Sequence, residues 1–403
     1  MRVLFVHDVF GSFGGAETNI LNTARELKRR AHQLALAARR RTGLEEDAWR
    51  GVFDPGLFFP VSASDWREVL QTARPELVYL HNWADQASID IILGSGLPLV
   101  RMVLDHDLYC LRRYKYNPVT RRICPRPAGA YCVFPCLGTV KRDRGGPFPF
   151  KWVSYRAKMR EIALNRRFDR LLTPSDFIRH ELLINGFLHE QVISFPLVPP
   201  PIEPQVSDFG PRNLLIYAGQ ITRGKGVDVM LRALARVHGP FEALILGDGH
   251  YRSYCERLAR RLGLQGRVKF LGFVSQLELR RLYAETTAFL IPSVWPEPSS
   301  LVGVEVMRYA LPVVAFDVGG IGEWLEDGEN GYLVDWMDVG AFAARVDALL
   351  KDKERARRMG QRSLERVTLQ FDFDRYISGL EDLFRSLIAG KGVSGERPPL
   401  PRS

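Results

Sequence analysis

Short apolar runs, each followed by a segment of helical periodicity, recur along the whole chain, and this alternation limits the folds open to it. VLFVH (3–7), QLALAA (33–38), LVYLH (77–81), PLVRMV (98–103) and RLLT (170–173) read as buried strands in the first half. LLIYAG (214–219), EALILG, RVKFLG, TAFLIP and PVVAFD repeat the pattern in the second. Strands that are apolar on both faces, with helices between them, build a parallel sheet covered on each side. The expected class is therefore α/β, with two doubly wound, Rossmann-like domains, and a length of 403 residues suits two cores of that size. Six prolines between 196 and 211 mark a stiff linker, 198–212, between an N-terminal domain, 1–197, and a C-terminal one, 213–371. Residues 391–403 read as a loose tail. Ligands of such sheets bind beyond the carboxyl ends of the strands, which makes an interdomain cleft the expected site.

The net charge of +10 favours anionic partners such as nucleotides, phosphorylated lipids or acidic membranes, or else reflects an Arg-biased genome. Residues 141–170 hold ten basic and three acidic residues, a large part of that excess. Trp152, Tyr155, Met159 and Ile162 recur there at helical spacing. The stripe either faces the protein's own core or lies on an anionic membrane. No uninterrupted apolar run reaches the ~18 residues of a spanning helix, and the opening residues read as a first strand and not as a signal peptide. A cytoplasmic protein is expected, with peripheral contact at the inner face of the membrane open. Nucleic acid is not an expected partner, because no recognised module organises the charge.

Four cysteines, Cys110, Cys124, Cys132 and Cys136, cluster in a Pro- and Arg-rich insertion. Their spacing lacks paired CxxC units, so structural zinc, a disulfide and ordinary loop thiols all stay open. Gly14 and Gly15, at a strand-to-helix turn, either free backbone amides for a phosphate or sugar, or permit tight packing. His81 and His106 both follow strands, and His106 is flanked by Asp105 and Asp107. A satisfied core histidine is the alternative for each. In GQITRGKG (219–226), Arg223 and Lys225 follow Gly219 at a turn suited to a diphosphate or simply solvated. The segment is not a P-loop. Finally, 286–317 reads strand, Pro-rich loop, helix, strand, with Glu297 in the loop and Glu305 in the helix. Up to ~12 Å separates the two if the whole interval is helical. That spacing suits a grip on two parts of one long ligand better than general acid/base work across a single bond.

Taken in order, FGGAETNILNTARELKRR, LTPSDFIRHEL, GQITRGKGVDVMLRAL, ILGDG, the Glu-x7-Glu pair and VGGIGEWLEDGENGYLV resemble the retaining nucleotide-sugar glycosyltransferases of family 4, with the two-domain GT-B fold. The resemblance implies transfer of a sugar from a nucleotide-diphosphate donor to a glycan or lipid-linked acceptor, without a cofactor or catalytic metal. It implies that Glu297 holds donor-sugar hydroxyls, Glu305 the ribose, Lys225 the phosphates, and the main chain of Ser299, Ser300, Leu301 and Val302 the diphosphate. Val274 would lie near the base, His106 would face the reacting sugar, and Gly14–Gly15 would close over both substrates. Where the family commonly has Arg after Gly219, this chain has Gln220, so leaving-group stabilisation falls to Lys225 and Arg223. An epimerase or phosphorylase of the same fold, and a non-catalytic sugar-nucleotide or membrane-binding subunit, are the alternative readings.

Overall fold

The computed structural model describes residues 1–391 apart from 13, 118, 143–149, 202–205 and 211; the expected tail lies almost wholly outside the described residues, as do part of the linker and part of the basic stretch 141–170. The chain divides into two compact units. The first comprises Met1–Lys115, Pro125–Leu197 and Phe373–Ser403, and the second Tyr116–Cys124 and Val198–Asp372.

The first unit is built on a seven-stranded sheet, in the order Val192–Ser194, Arg170–Thr173, Leu99–Met102, Leu77–Leu80, Arg2–Val6, Gln33–Ala37 and Leu57–Phe58. Every neighbouring pair is parallel. Its central strands are buried on both faces: Leu4, Phe5, Val6 and all of Leu77–Leu80 lie out of solvent. The second unit carries a six-stranded parallel sheet, ordered Val268–Gly272, Glu242–Leu246, Leu214–Ala218, Thr286–Ile291, Val313–Phe316 and Gly331–Val334. Parallel neighbours need crossover helices, and the amphipathic segments between the strands supply them.

Helix starts follow the sequence chemistry. Ser62 and Asp65 form a reciprocal capping box, and the Ser175 hydroxyl accepts from the Ile178 amide. The helix Gly15–Arg29 ends before Ala31, whose φ of 62° puts an alanine in the left-handed region where a glycine is common. That backbone conformation costs an alanine about 1 kcal/mol.

One expectation on 141–170 is corrected, and one of its two open alternatives is met. Trp152 is not on the helix but in the strand Phe150–Trp152, paired antiparallel with Val140–Arg142. The helix spans Tyr155–Asn165, and Ile162 and Leu164 sit in the core of the first unit with Met159 packed against it. A solvent-facing apolar stripe would cost about 25 cal/mol per Å² of exposed apolar surface, so the helix turns it inward.

The main stretch of the second unit is entered at Val198 and left at Asp372. Arg308 ties both passages, its Nη2 donating to Pro199 O at 2.8 Å and Phe371 O at 3.2 Å. The helix Phe373–Lys391 then belongs to the first unit. Its Glu381 accepts from His32 Nε2 at 2.5 Å and Arg30 Nη1 at 2.8 Å, and Phe384 meets Tyr79 edge-on. Burial by itself raises the Glu381 proton affinity, but the bonds from His32 and Arg30 outweigh it and hold the carboxyl below its usual range. A carboxylate with a lowered folded pKa stabilises above its unfolded value, and the gain is lost as pH falls through the folded value. Glu381→Gln should therefore cost about 1–3 kcal/mol at neutral pH. In thermal melts the gap from the parent should shrink below pH 4, whereas an equal gap at both ends would mean that the ionised group is not what stabilises.

Candidate functional site

Functional candidates of the second unit gather at the carboxyl ends of its strands, as a doubly wound sheet requires. The loop after Leu214–Ala218 carries Gly219, Gln220, Arg223 and Lys225 into the helix Val227–Leu234. The loop after Thr286–Ile291 carries Ser293, Trp295 and Glu297 into the helix Leu301–Met307. These two loops interlock. The Gly224 carbonyl accepts from the amides of Val294 at 2.8 Å and Trp295 at 3.2 Å. Gly226 has φ 70°, and a Cβ there would come within 1.8 Å of the Pro292 carbonyl, so only glycine lets the loops approach this closely.

Glu297 is the best-connected side chain of this region. It is 2% exposed, and Oε1 accepts from Lys225 Nζ at 2.8 Å, from Trp295 Nε1 at 2.8 Å and from the Ser293 hydroxyl. Lys225 Nζ also reaches Oε2 at 3.1 Å and stands over the Trp295 ring, 5.3 Å from its centre. The Glu297 backbone is stapled to the loop after Val313–Phe316 by a bridge to Gly319 and by a bond from the Gly320 amide to its carbonyl, at 2.8 Å. A nearly buried carboxylate is tolerable because three donors replace its water.

Glu305 contrasts with it. This half-buried carboxylate lies in the short helix after Ser300, and burial raises its proton affinity more than the cations Arg308 and Arg280 lower it. Ser300 enters that helix with φ 64°, and the Ser299 carbonyl accepts from Trp324 Nε1 at 2.6 Å. The first-turn amides, including those of Leu301 and Val302, have no partner inside the helix by geometry. Val274 is half-buried beside Phe273, which is 84% exposed. Gln220 is exposed, and its carbonyl accepts from the Tyr217 hydroxyl at 2.8 Å. Arg223 Nη2 donates to Val119 O at 3.3 Å.

The remaining candidates belong to the first unit. His106 is fully buried, bonds Tyr109 OH through Nδ1 at 2.7 Å and meets Phe177 edge-on. Its neighbour Asp105 is pushed up to about 6, by burial first and the Asp107 charge second. Gly14 caps the helix Gly15–Arg29 with extended backbone that any residue adopts. Gly11 is the glycine this loop needs, since it has φ 106° and its Cβ would meet Thr42 Oγ1 at 2.1 Å. His81 is buried behind Phe5 and Tyr79, and burial lowers its proton affinity well below the usual value.

Sequence reasoning missed Ser293, Trp295 and His7, whose Nε2 donates to Glu17 at 3.2 Å. No pattern marks Trp295 as a ligand of Glu297; a tryptophan two residues before a loop glutamate is the one signal available. No disulfide joins the five cysteines, and among the described residues no group of three or more His, Cys, Asp or Glu is close enough to hold a metal. No helix among them is long and apolar enough to cross a membrane.

The Glu305 environment makes a pH prediction. A carboxyl whose folded pKa is raised loses stability for the fold as pH climbs from its unfolded value through the folded one. Glu305→Gln should then melt at or above the parent at neutral pH, with the difference closing in acid. A variant that melts well below the parent at neutral pH would show that the ionised carboxylate is held by stabilising partners.

Comparison with known proteins covers both units. Residues 13–196 match the family model described as Glycosyltransferase Family 4, and residues 201–366 match that of Glycosyl transferases group 1. An uncharacterized glycosyltransferase of Methanocaldococcus jannaschii is 35% identical over 142 residues, covering 35% of this chain and 36% of the relative. Glycogen synthase of Mycobacterium tuberculosis is 31% identical over 196 residues, covering 48% and 46%. The matches thus span about half the length of the curated relatives, or less. Among solved structures, Anabaena HepE in complex with UDP and glucose superposes with a TM-score of 0.72 at 19% identity, covering 96% of this chain and all of HepE. Sucrose-phosphate synthase of Thermosynechococcus elongatus gives 0.70 at 18%, covering 96% and 98%. At these identities the likeness establishes the GT-B fold.

Proposed function

The chain belongs to the glycosyltransferases that those two models describe, and from that premise we propose that it moves a sugar, with retained anomeric configuration, from a nucleotide-diphosphate donor to an acceptor hydroxyl. The observation that carries the proposal is the Lys225–Glu297 pair, held between two interlocked loops at the strand ends of the second unit. A cation and a carboxylate in contact, both fixed before any ligand arrives, match a ligand whose phosphate and sugar hydroxyls are adjacent.

In this reading Lys225 faces the diphosphate, with Arg223 and the main chain of Ser299–Val302 beside it, and stabilises the charge that grows as the bond from the anomeric carbon to the diphosphate breaks. Glu297 accepts from sugar hydroxyls and Glu305 from the ribose. His106 is placed by Tyr109 on the first unit, where the family resemblance puts a group facing the reacting sugar. The acceptor oxygen bonds the anomeric carbon, and the nucleoside diphosphate and the acceptor's proton leave. Fixed cations and amides take the place of a divalent ion. A nucleotide-sugar donor is supported by the UDP and UDP-glucose complexes of HepE, and a role in cell-surface polysaccharide or glycolipid synthesis by relatives that include a lipopolysaccharide core glycosyltransferase of Rhizobium meliloti.

A thermal-shift screen of UDP-, GDP- and ADP-sugars identifies the donor, and release of nucleoside diphosphate measures turnover. Lys225→Ala should lower turnover at least 100-fold, the order set by removing one charge-stabilising group, and Glu305→Ala should lower it about tenfold or more through the lost hydrogen bonds to the ribose. Undiminished turnover in both would sink the assignment of roles. Epimerised donor would favour an epimerase, phosphate-dependent sugar release a phosphorylase, and tight binding without turnover a binding subunit, the reading that the uncharged Gln220 leaves in play.

Peripheral membrane contact moves from the helix to the strand before it. Phe150 and Trp152, two residues apart and so on one face, are 61% and 82% exposed, with exposed Lys151 between them and Arg156 beyond. Trp at such a position suits a lipid interface. Co-sedimentation with vesicles containing anionic phosphatidylglycerol should fall several-fold in Phe150→Ser/Trp152→Ser, and equal binding by the variant would count against this surface.

A further inference from the structure

The segment Tyr116–Cys124 groups with the second unit although the residues on either side belong to the first. It is a tight hairpin. Tyr116 and Ile123 form an antiparallel bridge, the Asn117 amide donates to Arg122 O at 2.9 Å, and Asn117 Oδ1 accepts from the amides of Val119 and Thr120 at 2.8 and 3.0 Å. It lies against the loop that carries Arg223 and Lys225: Arg223 bonds the Val119 carbonyl, and a Cβ on Gly224 would stand 3.2 Å from Tyr116 OH.

Within the hairpin, Arg121 adopts φ 61°, a left-handed conformation unfavourable for a residue with a side chain. That backbone carries its guanidinium inward, where Nη2 donates to Asp228 Oδ2 at 2.7 Å. Both side chains are more than nine-tenths buried. Asp228 Oδ1 has no partner among the described residues, and Arg121 is the one cation paired with Asp228 there. The field of Asp228 is felt nearby. Tyr251 is pushed up to about 12 by burial first and by Asp228 second, while Arg121 acts in the opposite sense.

Asp228 is the second residue of the helix Val227–Leu234 and lies three residues past Lys225. An acidic group in a first helical turn favours the helix. Here, though, its charge and that of Arg223 both act on Tyr251, and without compensation it would repel a diphosphate held at that loop. We infer that Arg121 is a positioning residue for the donor diphosphate, neutralising Asp228 and, through the hairpin, holding the loop of Arg223 and Lys225 in place. The inference rests on the function proposed above.

The test is calorimetric binding of UDP, GDP and ADP to the full chain at low and high salt. Arg121→Met should weaken the diphosphate that the parent binds by about tenfold at low salt, one charge contact's worth, and by less at high salt. Adding Asp228→Asn to Arg121→Met should restore affinity to within about threefold, because the repelling charge is gone. Arg121→Lys, which keeps the charge without the planar fork, should fall between parent and Arg121→Met. A merely structural Arg121 predicts no restoration by Asp228→Asn and no salt dependence of the loss. Either finding, or unchanged affinity in folded Arg121→Met, overturns the inference while the donor reading stands. If Arg121→Met does not fold, Asp228→Asn alone decides: affinity equal to or above the parent's supports the inference, and a loss overturns it. Failure of the parent chain to bind any of the three diphosphates would overturn the donor reading and this inference with it.

Discussion

The contact between Lys225 and Glu297 is the interaction on which the rest of the site depends. An ionised carboxylate taken out of water must find donors within the protein, and Glu297 finds three, on its own loop and on the neighbouring one. That requirement draws the loop after Leu214–Ala218 against the loop after Thr286–Ile291, and Gly226 permits the approach by carrying no Cβ toward the Pro292 carbonyl. The two loops therefore behave as one rigid ledge at the strand ends. On that ledge the Lys225 cation lies in a fixed place.

The two carboxylates of the Glu-x7-Glu motif have opposite electrostatic circumstances. Glu297 is matched by a lysine, an indole N–H and a hydroxyl, whereas Glu305 is desolvated more than its cations compensate. A group in the second condition destabilises its own fold when ionised. Asp228 sets a third case, a buried acid cancelled by an arginine from a distant part of the chain. Within one unit, then, Glu297 and Asp228 each have a cation in contact, and Glu305 is desolvated more than its cations compensate.

Legibility in the sequence followed the range of the interactions. Continuous apolar runs such as LVYL and TAFLI announce buried parallel strands because burial on both faces leaves no alternation to read. Ser175 announces its helix because a cap acts over three residues. The amphipathic stripe of Tyr155–Asn165 was equally visible, but spacing alone does not say whether such a stripe meets lipid or core, and the first unit supplied the core. Gly14 and Gly15 look like the special pair, yet the need for a missing Cβ falls on Gly11, where Thr42 packs from a segment thirty residues away.

By itself the sequence determined the α/β class, the two doubly wound sheets and the family, along with the order of Lys225, Glu297 and Glu305 along the chain, since these depend on local periodicity and motif spacing. Only the tertiary structure decided what each group touches. Trp295 and Ser293 as ligands of Glu297, Tyr109 as the partner of His106, and the hairpin carrying Arg121 to Asp228 across 107 positions of sequence all come from contacts that no short-range pattern encodes. The physical reason is that burial sets the strength of a charge and its need for partners, and burial is a property of the packed chain.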